Sequence, residues 1–261
     1  MKRYEIGFIG FGNMAGAIVK QIISKKIFKP EKISIFDINE SQRRKAKRMK
    51  INVLKNNQEV VDKSKIVVFS VKPQDMESVL KSIKEKGNLF ISICAGITTK
   101  FIKKYLGNVP VIRVMPNTPF LVGEGVTGCY FKGDKKYKKI AEKIFGSGSS
   151  VYWIKDEKLL DSITALSGSG PAYVFYFIES LAEAGKILGI KNSLDIAIKT
   201  LKGSITLIEK TKEKPEVLRK KVTSKGGTTE RAVSIFEKRG FKNIIIEALK
   251  EARKRSKELS K

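Results

Sequence analysis

The stretch YEIGFIGFGNMAG, residues 4–16, places small residues where a dinucleotide would need them. An apolar run ends in Gly10-x-Gly12-x-x-Ala15 and passes directly into the helical pattern Ala17, Ile18, Ile22, Ile23. Gly10 permits a tight turn, Gly12 lets backbone approach a pyrophosphate, and a small residue at 15 lets the helix pack closely on its strand. The N–H groups and positive end of that helix would face the phosphates. Glycines in turns are common, so a plain strand–turn–helix packing set is the rival reading. Context favours the dinucleotide. A second apolar run, Ile33-Ser34-Ile35-Phe36, ends at Asp37, about twenty residues past the turn, where the pattern puts an acceptor for the adenosine ribose.

Three further loops follow apolar runs and carry suitable chemistry. Lys72, in Val71-Lys72-Pro73, can approach a phosphate or the nicotinamide ribose. Ala95 and Gly96, after Cys94, would let a flat ring lie against backbone, and Asn117 can orient a carboxamide or a substrate. Taken singly, each is equally a turn residue. Two hydroxyl clusters stand later in the chain, Ser167-Gly168-Ser169-Gly170-Pro171 and Ser224-Lys225-Gly226-Gly227-Thr228-Thr229. Each opens a helix, where hydroxyls and N–H groups can seat a carboxylate, or simply cap.

The elements that would position these residues follow from periodicity. Through about residue 115, short apolar runs alternate with helical stretches, the rhythm of a parallel sheet flanked by helices. Strands are expected at 4–9, 32–36, 51–54, 65–71, 88–93 and 109–114, then a helix at 134–145 and a strand at 150–154. Gly123, Gly125 and Gly128 read as turns. From Asp156 onward the pattern is helical, with helices expected at 171–189, 193–210, 215–222, 228–238 and 241–258. The first of these carries Tyr173, Val174, Phe177, Ile178 and Leu181, more apolar surface than a small bundle hides, so a partner subunit is expected over it.

The expected fold is therefore α/β. Residues 1–155 form a Rossmann-like dinucleotide-binding domain with a mostly parallel sheet, and residues 156–261 an all-α domain for dimerisation and substrate binding. The chain of 261 residues is 41% hydrophobic, and no apolar run approaches the ~20 residues of a bilayer span. Cys94 and Cys129 offer neither metal-site spacing nor a disulfide framework, no metal is expected, and the expected location is cytoplasmic. A net charge of +27 raises nucleic acid as a partner. Lys and Arg are spread over helix surfaces without a nucleic-acid fold signature, so no specific nucleic acid is expected. With no His in the chain, an imidazole general acid is excluded.

The segments GFIGFGNM (7–14), VKP (71–73), CAG (94–96), RVMPNTP (113–119), ALSGSGPAYVF (165–175) and VTSKGGTT (222–229) resemble pyrroline-5-carboxylate reductase, in the family's order and over essentially the whole chain. The first is shared with many dehydrogenases; RVMPNTP, SGSGPAY and GGTT are far more specific. The resemblance implies NADPH- or NADH-dependent hydride transfer to 1-pyrroline-5-carboxylate, giving L-proline, the last step of proline biosynthesis. It implies a helical domain that intertwines with its twin in a homodimer, alone or within a higher oligomer. It puts cofactor contacts on Ile9, Gly10, Phe11, Gly12, Asn13 and Met14, on Asn57, on Ser70, Val71, Lys72 and Pro73, and on Cys94, Ala95 and Gly96. Substrate contacts fall on Ser224, Gly226, Gly227, Thr228 and Thr229, with Glu213 nearby and the Thr229 hydroxyl on the ring nitrogen. One departure is visible: the family usually reads S-P-G-G-T-T, and Lys225 replaces the proline.

Cofactor choice stays open at this level. Asp37 suits a free 2′-hydroxyl and repels a 2′-phosphate, whereas Arg43 and Arg44, one helical turn on, can offset that repulsion. A dual-use enzyme with some NADH preference is expected. The nearest rival, a β-hydroxyacid dehydrogenase, generally uses a catalytic Lys in the corresponding helix; here none appears after Pro171 until Lys186. A non-catalytic sensor would leave the hydroxyl clusters without a task.

Overall fold

The computed structural model describes residues 3–259, in two compact units. One runs to Ser169 and includes the chain from Ala252 onward; the other is Gly170–Glu251. In the first, β1 (Tyr4–Ile9) leads into α1 (Asn13–Ser24), β2 (Ile33–Phe36) into α2 (Glu40–Arg48), and β3 (Asn52–Val53) into α3 (Asn57–Lys63). Then come β4 (Ser64–Phe69) with α4 (Met76–Lys81), β5 (Leu89–Ser92) with α5 (Thr99–Leu106), and β6 (Val111–Pro116). The unit continues through β7 (Gly125–Tyr130), α6 (Lys135–Phe145), β8 (Ser149–Trp153) and α7 (Leu159–Ile163).

These strands form one sheet in the order β3-β2-β1-β4-β5-β6-β7-β8, with β6–β7 as its antiparallel pair. Period-two alternation divides the apolar side chains between two cores. Ile66 and Val68 of β4 join a cluster with Phe8 and Ile91, while Val67 and Phe69 join another with Ile9 and Phe90. Both faces are covered, which is why these strands read as unbroken apolar runs. The chain leaves β1 for β2 on one side and returns as β4 on the other. That reversal opens a crevice beyond the carboxyl ends of the three strands.

One expectation needs correcting. Gly125 and Gly128 lie in a strand, β7, not in turns; only Gly123 is a turn residue, left-handed at φ 85°. Packing explains the glycines. A Cβ at Gly125 would stand 2.9 Å from the Gly148 carbonyl oxygen, and one at Gly128 2.7 Å from Ile163 Cγ2. The first compact unit extends to Ser169. Leu160 and Ala165 are buried within it, and Ser256 Oγ donates to Asp161 Oδ1 at 2.7 Å.

The second unit is helical: α8 (Gly170–Ile187), α9 (Ser193–Thr211), α10 (Pro215–Lys221), α11 (Thr228–Lys238) and most of α12 (Phe241–Glu258). Gly189, at φ 85°, follows the end of α8, and Pro215 opens α10, where its missing N–H costs no helical bond. Phe241 packs on Phe177 and Phe236, with ring centroids 6.3 and 5.4 Å away. Among the described residues, no helix is long and apolar enough to cross a membrane.

Candidate active site

A cleft of about 580 Å³ lies at the switch point between β1, β2 and β4, a size typical of ligand pockets. Gly10 makes the turn that forms its floor. Its φ of 88° suits glycine, its N–H donates to the Phe36 carbonyl at 2.8 Å, and a Cβ there would stand 2.6 Å from the Ser70 carbonyl oxygen. At Gly12 the opposite holds: nothing lies within 4 Å of where a Cβ would be. Gly12 is also the N-cap of α1 and brings no side chain to that helix end. Backbone and helix terminus are thus open to a ligand phosphate.

Asp37 closes the β2 side of the cleft. Its Oδ2 accepts from the Phe11 N–H at 2.6 Å and its Oδ1 from the Asn39 N–H at 2.7 Å, so the carboxylate ties the glycine turn to the start of α2. Arg43 Nη1 donates to the carbonyls of Asp37 and Ile38 at 2.7 and 2.9 Å, and Arg44 pairs with Glu40 at 2.9 Å. On the far side, Asn57 Nδ2 donates to Ser82 Oγ at 3.0 Å.

Of the expected cofactor residues, Ile9, Gly10, Gly12, Asp37, Asn57, Ser70, Val71 and Lys72 all line this cleft. Phe11 turns its ring fully into the core and leaves only backbone at the turn. Asn13 is exposed at the first position of α1, Met14 packs on the core, and Pro73 opens a short 3-10 turn. Cys94 is buried and donates to the Val71 carbonyl at 3.3 Å. Burial pushes its thiol up to about 11, so it stays protonated and is no nucleophile. Ala95 is half-buried, and Gly96 turns at φ 73°.

Asn117 stands apart from the cleft. Its Nδ2 donates to the carbonyl and hydroxyl of Ser167 at 3.1 and 3.2 Å, and its Oδ1 accepts from the Val126 N–H at 2.8 Å. The amide therefore clamps β7 and the π-helical turn Thr164–Gly168. Beside it, buried Arg113 reaches Glu157 at 3.3 Å, and Glu157 accepts from the N–H and hydroxyl of Thr99 at 2.7 Å each. The motif RVMPNTP thus contributes internal joints.

In the helical unit, residues 222–229 connect α10 to α11. Gly226 takes φ 75°, and its N–H donates to Glu230 Oε2 at 2.7 Å. The Gly227 N–H donates to the Ser224 carbonyl at 3.0 Å. The first helical bond of α11 runs from the Arg231 N–H to the Gly227 carbonyl, so the N–H groups of Thr228, Thr229 and Glu230 precede the helical ladder. Those three, rather than Gly226 and Gly227, are the donors this turn can offer an anion. Ser224 and Thr228 are exposed and Thr229 is half-buried. Glu213 pairs with Lys221 at 2.5 Å, tying the connection before α10 to its end.

Sequence reasoning missed Glu230, although an acid near a helix start is a legible capping signal. It also missed Gln42, Ser78 and Ser82, which line the cleft and belong to no motif.

Residues 157–259 match the family described as pyrroline-5-carboxylate reductase dimerisation, and residues 5–96 one described as NADP oxidoreductase, coenzyme F420-dependent. The chain is 38% identical to a pyrroline-5-carboxylate reductase of Synechocystis, over 98% of each. Its structure resembles that of the pyrroline-5-carboxylate reductase from Coxiella burnetii with a TM-score of 0.90, at 34% identity over 100% of both chains. A Plasmodium falciparum pyrroline carboxylate reductase with NADP bound gives a TM-score of 0.90 at 32% identity, again over 100% of both.

Proposed function

The chain belongs to the pyrroline-5-carboxylate reductase family, and on that premise we propose which residues carry each part of its reaction. The enzyme reduces the C=N bond of 1-pyrroline-5-carboxylate with NAD(P)H to give L-proline, the last step of proline biosynthesis. The dinucleotide, when bound, supplies the hydride. The open backbone at Gly12 is the observation that best supports a dinucleotide in this cleft. Gly10, Gly12 and the first turn of α1 hold the pyrophosphate. Asp37 accepts from the adenosine ribose, Asn57 borders the adenosine, and Ser70 to Pro73 with Cys94 to Gly96 form the wall toward the nicotinamide.

The substrate carboxylate sits on the Ser224–Thr229 turn, met by hydroxyls and the N–H groups of Thr228 and Thr229. The imine arrives already protonated, so the protein needs no dedicated general acid. Hydride adds to C5, the C=N π pair moves onto nitrogen, and the Thr229 hydroxyl hydrogen-bonds that nitrogen as it becomes an amine. Glu213 acts at a distance by fixing the end of α10 through Lys221. The cleft accepts NADH and NADPH, with NADH preferred because Asp37 disfavours a 2′-phosphate.

Thr229→Ala is the direct test. It is expected to lower kcat/KM for the imine about 10- to 100-fold, the size of one hydrogen bond made to a changing charge, with NADH affinity unchanged. Unaltered kcat/KM would remove Thr229 from the mechanism.

A further inference from the structure

The loop before α11 closes as a defined turn. The Gly227 N–H donates to the Ser224 carbonyl at 3.0 Å, Gly226 takes φ 75°, and Lys225 keeps a negative φ. Residues 224–227 therefore form a type II turn, with Lys225 and Gly226 as its two central residues. Its closure sets Ser224 over the start of α11: a Cβ at Gly227 would stand 2.6 Å from Ser224 Oγ.

The soft coordinate of such a turn is its central peptide, here the one joining Lys225 to Gly226. Types I and II differ by rotating that plane through about 180°, and glycine at 226 tolerates either form. Exposed Lys225 brings no ring to fix φ. In a trans peptide the N–H and the C=O point in opposite directions. Rotation would turn the Lys225 carbonyl to the side of the loop that Glu230 occupies in α11. That puts an acceptor beside the free N–H groups of Thr228 and Thr229, where a carboxylate needs donors.

One contact holds the plane. The Gly226 N–H donates to Glu230 Oε2 at 2.7 Å. An acid at the third position of a helix ordinarily reaches back to the N–H of the N-cap residue. Here the N-cap is Gly227, whose N–H is already taken by Ser224, and Glu230 reaches one residue further. Its carboxylate thus serves the turn itself. Among the described residues it forms no ion pair that would draw it elsewhere.

We propose that Glu230 is a positioning residue: by holding the Gly226 N–H it locks the 224–227 turn in its type II form and keeps the seat of the substrate carboxylate competent. This rests on the substrate reading above and adds the residue that maintains it. Without the lock both forms of the turn populate, and the apparent KM rises by the inverse of the competent fraction. The value of kcat does not change, because every productive complex contains the type II form.

The test follows imine reduction at high ionic strength, where exposed charges are screened. Glu230→Ala is expected to raise KM for 1-pyrroline-5-carboxylate about three- to tenfold, with kcat, NADH affinity and the dimer unchanged. Glu230→Gln keeps an acceptor and should hold KM within about twofold of wild type. Lys225→Pro, added to Glu230→Ala, presets φ at the first central position and should bring KM back toward the wild-type value. A KM that falls in both Glu230 variants would mean that Glu230 only repels the substrate anion. An unchanged KM in Glu230→Ala would mean that the turn needs no lock, and a rise that proline leaves untouched would place the effect outside the turn. Each of these overturns the proposal. Thr229→Ala tells such a failure from a failure of the substrate reading: if it lowers kcat/KM, the seat stands and the lock alone falls; if it does not, both fall.

Discussion

The sheet-bearing unit and the helical unit differ in how much of their stability each chain supplies for itself. In the first, β1, β4 and β5 are buried on both faces, and the cofactor cleft is formed by residues of that unit alone. In the second, α8, α10 and α11 bury no residue, and α9 buries only Ala197. Phe175 and Tyr176 of α8 are 65% and 72% exposed. A large apolar face left in water is unusual for a finished surface. It accords with the match of residues 157–259 to a dimerisation family. One half buries its own cores and lines its own cleft, and the other leaves its apolar face to a twin.

The largest effect should come from attacking the helical face. Phe175→Asp places a carboxylate where an isolated chain would solvate it harmlessly and a dimer would bury it. Burying an unpaired charge costs several kcal/mol, so light scattering is expected to report a monomer and proline formation should be lost. NADH binding, a property of the sheet-bearing unit, should survive. A variant that remains dimeric and active would show that another face forms the interface.

The mirror-image variant is Gly10→Ala. A side chain at φ 88° is strained by about 1–2 kcal/mol, and its Cβ would press on the Ser70 carbonyl at 2.6 Å. Affinity for NADH should fall about 30- to 100-fold with the dimer intact. Together the two variants separate the halves: one removes assembly and spares the cofactor, the other does the reverse. Gly10→Ala with unchanged NADH affinity would mean that the turn is not the pyrophosphate seat.

Much of this was legible because the signals are local. The fingerprint at Gly10 and Gly12, the apolar runs of β1, β4 and β5, and the helix starts at Pro215 and Thr228 depend on neighbours in sequence. What escaped depends on distant partners. Gly125 and Gly128 look like turn residues until Phe120, Gly148 and Ile163 are seen against them. Asn117 reads as a ligand-orienting amide, and its bonds to Ser167, fifty residues on, and to Val126 have no signal in the sequence. Gln42 belongs to no pattern at all, since an orphaned acceptor exists only once the surrounding walls are folded.

The smallest effect concerns Lys225, where the family usually carries proline. Its side chain is exposed, in the turn whose Gly226 N–H is held by Glu230. An exposed cation a few ångströms from a bound carboxylate is worth less than about 1 kcal/mol and is screened by salt. Lys225→Gln should therefore raise KM for the imine about twofold at low ionic strength, leave kcat unchanged, and lose its effect in 0.5 M salt (about four ångströms of screening length). Lys225→Pro removes the same charge and also fixes φ. If charge is what Lys225 contributes, the two variants share one KM. If stiffness matters, only the proline variant alters kcat. The second outcome would place part of the substrate site's order in the loop itself, and would narrow the contrast between the self-sufficient cofactor half and the dependent helical one.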